Sequence, residues 1–145
     1  MRIFKVLLML TLVLAQPQHA QDSTLSSVKR IRLGLVGQTD EKDPFRLLLK
    51  DELEKREFVA VDDPKQADAV LTWLRVVRFG EPSNAKRTFY WAVELKTPNG
   101  QSLWGREFQD RADANASDLY KLSAQDIANE LRKAVDSAAK DSKAR

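Results

Sequence analysis

Cysteine is absent from all 145 residues. That excludes disulfides, thiolate metal ligands and cysteine nucleophiles, so the fold rests on packing alone even in an oxidising compartment. It also excludes lipid attachment through a cysteine at a processed amino terminus. Histidine occurs once, as His19, inside a segment whose composition marks it for removal. Without it the chain has no imidazole for acid-base catalysis, a Ser-His-Asp triad or a metal site. Beyond the amino terminus no stretch approaches the roughly 20 apolar residues that a membrane-crossing helix needs.

The amino terminus differs in composition from the rest. Arg2 and Lys5 precede an apolar run from Val6 to Ala15, followed by Gln16, Pro17, Gln18, His19 and Ala20. A charged, then apolar, then small-residue order is that of a secretory signal. Cleavage is expected after Ala20, because Pro17 ends the apolar helix just before it; Ala15 is the other candidate, and a retained amino-terminal anchor is the alternative to cleavage. The reading is of a periplasmic or secreted protein with no stable membrane insertion once the signal is gone.

Removal of residues 1–20 leaves about 125 residues, enough for one domain that buries about two thirds of its unfolded surface. The leader carries two of the 24 Lys and Arg and none of the 21 Asp and Glu, so the remainder is nearly neutral. No clustered basic face of the kind that binds nucleic acid is evident.

Residues 21–27 read as a disordered leader, 28–140 as one α+β domain and 141–145 as a solvated tail. Val28 to Val36 alternates as a half-buried strand. Asp43 and Pro44 open a helix to about Glu57, with Phe45, Leu48, Leu49 and Leu53 on one stripe. Phe58 to Val61 is a short second strand; residues 65–68 form a loop or one helical turn. Residues 69–79, AVLTWLRVVRF, are the richest β-branched and aromatic run and form a third strand. Arg87 to Thr97 alternates as a fourth, and Thr97-Pro98-Asn99-Gly100 turns into a fifth near 101–110. A final helix runs from Ser117 to about Ala139, with Leu119, Leu122, Ile127, Leu131, Val135 and Ala138 on one side. The expected order is β-α-β-β-β-β-α, a two-layer sandwich with a mixed sheet of four to five strands and both helices on one face.

The words Ala67-Asp68-Ala69, leading into the long strand, Gly100, Leu103 and Trp104 in the hairpin, and the closing Ile127 to Val135 carry a resemblance. The chain resembles a group of bacterial envelope domains that includes the amino-terminal domain of TolB and the curli-secretion protein CsgG. The resemblance covers nearly the whole domain and implies a sheet with two helices on one side, used for protein contacts in envelope assembly. The chain departs from it in having no propeller and no membrane-inserting segment.

Placing a charge in a core is costly, so the third-strand face that carries Arg75 is expected to be the open one. On that reading Trp73 and Tyr90 touch across the third and fourth strands, and Arg75 pairs with Glu94. Trp104 lies on either face, since its strand alternates poorly around Gly105. Trp91, in phase with Phe89, Val93 and Leu95, belongs to the core. Trp73, Arg75, Tyr90, Glu94 and Trp104 are therefore the candidate binding residues. No catalytic residue, metal ligand or cofactor is expected: the acid pairs Glu52 with Glu54, Asp62 with Asp63, and Asp110 with Asp113 sit where helix surfaces and turns use acids. The expected role is a non-enzymatic interaction or assembly-accessory domain, with an envelope protein or a second copy as partner, through the open face or the sheet edge. The alternative is a carbohydrate or peptidoglycan module stacking sugars on Trp73, Tyr90 and Trp104.

Overall fold

The computed structural model of the chain describes residues 24–35, 42–79, 87–109 and 116–145. The expected signal and its cleavage point, the loop from 80 to 86, and Asp110 with Asp113 lie outside them. Seven regular elements follow in chain order: β1 (Arg30–Leu35), α1 (Pro44–Glu54), β2 (Val59–Ala60), β3 (Ala69–Phe79), β4 (Arg87–Lys96), β5 (Ser102–Gln109) and α2 (Ala116–Lys143). The strands form one sheet in the order β2-β1-β3-β4-β5. β1 is parallel to β2 and β3, whereas β3, β4 and β5 are successively antiparallel. The α+β sandwich with a mixed sheet is thus as the residue pattern predicts.

Local chemistry sets the boundaries. The Asp43 carboxylate accepts from the Phe45 N–H at 3.0 Å with Pro44 in the first turn, which satisfies a donor that the helix start leaves unpaired. α1 ends at Glu54, earlier than the expected Glu57, because Glu57 adopts a φ of 66°. That left-handed residue lets the Phe58 N–H reach back to the Leu53 carbonyl at 3.1 Å, the closing bond of a Schellman end. In the β4–β5 turn Gly100 takes a φ of 94°, and its N–H donates to the Thr97 carbonyl at 2.9 Å.

The core lies between the helices and one sheet face. Phe45, Leu49 and Leu53 of α1 and Ile127, Leu131 and Val135 of α2 meet Ile31, Leu33, Leu71, Trp91, Val93 and Leu95. Ala124 and Ala128 are fully buried, and α1 and α2 pack against each other. α2 starts one residue earlier and runs four residues further than expected, its last turn solvent-exposed.

One expectation about the faces is overturned. Leu71, Trp73 and Arg75 lie on the helix-covered side of β3, and Trp73 is 2% exposed. In the β3–β4 register Trp73 is opposite Val93 and Arg75 opposite Trp91; both partners are buried, so Trp73 and Arg75 share their face. Tyr90 is opposite Val76 and Glu94 opposite Thr72, on the other side.

Candidate functional site

The five sequence-predicted site residues separate into three groups. Trp73 and Arg75 stand on the helix-facing side of β3, flanking its midpoint. There Phe45 stacks on Trp91 with ring centres 4.0 Å apart, while Trp73 and Tyr120 meet Phe45 edge-on at 5.8 and 5.9 Å. The Arg75 guanidinium lies 4.3 Å from the Phe89 ring centre, 5.4 Å from Tyr120 and 5.5 Å from Trp91, and donates to the Tyr120 hydroxyl at 3.4 Å. Ring faces are electron-rich and attract a cation. The charge on the helix side is therefore held among aromatic π faces near the middle of the strand, opposite Trp91 and not Glu94.

Tyr90 and Glu94 share the face that no described helix covers. Glu94 pairs there with Lys96 at 3.1 Å, two residues along the same strand. Trp104 is opposite Leu95, and its half-buried ring packs on the helix side of β5, 6.2 Å from Phe108. The Trp73, Tyr90 and Trp104 platform is thereby divided between the two sides of the sheet, which removes the geometry required to stack a sugar chain.

The uncovered face has a different centre. Thr72 and Leu74 of β3, Ala92 and Glu94 of β4, and Gly105 and Glu107 of β5 line a shallow depression of about 400 Å³. Leu74 is 53% exposed, and Gly105 brings no side chain to the floor. The alternation of β3 sets Thr72 and Leu74 in the row opposite Trp73 and Arg75, and the expectation that the Arg75 face is the open one concealed them. A core Trp91 did not reveal this by itself, because only the register that sets it directly opposite Arg75 makes the Arg75 face the inner one.

Two further clusters position the elements. Asp68 accepts from the Lys29 and Arg30 N–H groups at 3.0 and 2.8 Å and from the Arg30 guanidinium at 2.8 Å. Burial alone would raise its pKa, but these bonds hold the carboxyl below the usual range. Glu52, 4% exposed, receives Lys55 at 2.7 Å and Arg56 at 2.8 Å. Burial opposes its ionisation, yet the two cations keep its pKa lowered. Arg56 also donates to Asn129 of α2 at 2.6 Å, which ties the two helices. Both clusters hold elements together and face no cavity described above.

The molecule is thus a two-layer α+β domain with one sheet face that no described helix covers. No protein-family model matches the sequence, and no curated protein matches it. Among solved structures, a minor lipoprotein from Acinetobacter baumannii is similar at 15% identity and a TM-score of 0.45, over 73% of this chain and 91% of that one. A PelC dodecamer from Paraburkholderia phytofirmans is similar at 14% identity and a TM-score of 0.49, over 75% and 89%. A lipoprotein from Neisseria meningitidis is similar at 13% identity and a TM-score of 0.40, over 72% and 99%. Among the described residues no helix is long and apolar enough to cross a membrane.

Proposed function

We propose that this chain is an exported envelope or secreted protein with a non-enzymatic role, presenting the uncovered face of its sheet to a protein partner. The observation that carries this reading is Leu74, a large apolar side chain left half exposed in a depression that spans β3, β4 and β5. An apolar centre rimmed by Glu94, which pairs with Lys96, and by Glu107 has the composition of a recognition patch, with a desolvated middle and a polar margin. The charged, apolar and small-residue order of residues 1–20 supports export. The resemblance to the TolB amino-terminal domain and CsgG adds the expectation that the contact serves envelope assembly.

The test is capture from an envelope extract with the immobilised protein, its Leu74→Arg variant and a Leu47→Arg control. Leu47 is 51% exposed on the outer side of α1, so it reports non-specific charge effects. A partner retained by the parent and by Leu47→Arg, and reduced about tenfold by Leu74→Arg, a change of about 1.4 kcal/mol, supports the reading. Equal retention by all three, or retention on peptidoglycan beads with no protein captured, would refute it.

A further inference from the structure

The two edges of the sheet are unequal. β2 has two residues, whereas β5 has eight and is the last strand in the pairing order. A long edge strand carries a row of backbone donors and acceptors suited to pairing with another strand. On its helix side β5 presents Trp104, Arg106 and Phe108, opposite Leu95, Val93 and Trp91. Both aromatic rings are only partly buried against the core, so apolar surface remains at the sheet margin. Beside them a trough of about 370 Å³ runs between β5 and α2, with Asp126, Glu130 and Lys133 on its far bank. Arg106 pairs with Glu130, which also receives Lys133 at 2.8 Å. Arg106 and Lys133 therefore meet Asp126, Glu130 and Glu107 along this margin, so cations and acids nearly balance when two such margins come together.

We propose that β5 pairs antiparallel with β5 of a second copy about a twofold axis at Arg106, making one sheet continuous across the two molecules. Antiparallel neighbours that keep both helix layers on the same side must pair residues pointing the same way, so the axis falls on a residue, and three residues are central enough. With Glu107 on the axis, two carboxylates stand directly opposite, which is unfavourable. With Gly105 on it, Phe108 faces Ser102 and the irregular stretch where β5 shifts register against Leu95 and Lys96 enters the ladder. With Arg106 on it, Trp104 meets Phe108 of the second copy on both sides of the axis, and Gly105 leaves room for Glu107. The two guanidinium groups then approach with each already bound to its own Glu130. Burial of the remaining exposed surface of four partly buried rings drives the pairing, and the backbone sets its direction.

The absence of cysteine makes the register directly measurable. Directly opposed residues in an antiparallel pair have Cβ atoms about 4.5–5.5 Å apart, close to the span of a disulfide. The full chain, expressed with its own leader and purified, is expected to show concentration-dependent dimerisation by sedimentation velocity. Arg106→Cys, carrying the sole thiol, should form a disulfide dimer on mild oxidation at least about tenfold faster than Leu74→Cys or Gln109→Cys. Phe108→Lys, with unchanged circular dichroism, should weaken the dimer by about tenfold or more. A monomer at every concentration overturns the proposal, as does a dimer that Leu74→Cys links faster than Arg106→Cys. The pairing does not rest on the open-face reading: Leu74→Arg should reduce partner capture about tenfold and leave the dimer intact.

Discussion

Asp68 and Arg30 are joined through both side chain and backbone. One carboxylate oxygen accepts from the Arg30 guanidinium, the other accepts from the Arg30 N–H at 2.8 Å, and the Asp68 N–H donates to the Arg30 carbonyl at 2.8 Å. The short lead-in Ala67-Asp68-Ala69 thereby sets the start of β3 beside the start of β1. Asp68→Ala would leave two backbone N–H groups without their acceptor and cost about 2–3 kcal/mol. Asp68→Asn keeps one acceptor oxygen and should cost roughly half as much. Urea unfolding midpoints at constant m-value check both.

Acid should unfold the protein through its bonded carboxylates. Asp68 and Glu52 both have pKa values lowered in the folded state, despite burial that works the other way. A carboxyl whose folded pKa lies below its unfolded value contributes stability above the unfolded value, about 4 for these side chains, and loses it as pH falls through the folded one. Stability should therefore be flat from about pH 7 to 5 and fall progressively below about 4. Asp68→Asn should show a shallower fall over that range, read from unfolding free energies measured from pH 7 to 2.5.

Neighbouring positions on β3 should behave oppositely. Trp73→Ala removes a ring that is 2% exposed and touches Phe45, so it should cost about 3–5 kcal/mol of stability. Leu74→Arg changes a side chain that is 53% exposed and should shift stability by less than about 0.5 kcal/mol, while reducing partner capture about tenfold. Thermal unfolding of the two variants, beside the capture assay, separates a folding residue from a binding one.

Glu57 is a site where a smaller residue should help. Its φ of 66° costs an L-residue about 1–2 kcal/mol that glycine escapes, offset in part by the greater freedom of glycine in the unfolded chain. Glu57→Gly should raise stability by up to about 1 kcal/mol, measured as an increase in the urea midpoint.

The element order was legible because each segment carries its own period. Phe45, Leu49 and Leu53 recur at helical spacing, Leu71 and Trp73 at strand spacing, and Asp43-Pro44 and Pro98-Asn99-Gly100 mark the boundaries by local chemistry alone. The end of α1 was not legible, since Glu57 carries no sign that it will take a conformation usually left to glycine. The candidate surface was half legible: the alternation sorted β3 into two rows, but the cost of burying Arg75 was weighed without the rings of Phe89, Trp91 and Tyr120 that surround it.

Sequence by itself determined the residue inventory, the succession of strands and helices, and which side chains share a row. Those properties are local, resting on torsional preference and on spacings of two or about three and a half residues. Only the tertiary structure decided which row of β3 meets the helices. The pairing of Phe79 with Arg87 puts odd-numbered residues opposite odd-numbered ones, so Trp91 draws Arg75 and Trp73 inward. A shift of one residue in that register would have exchanged the two faces, and a strand row carrying a charge can turn inward when aromatic rings from two other elements, β4 and α2, converge to receive it.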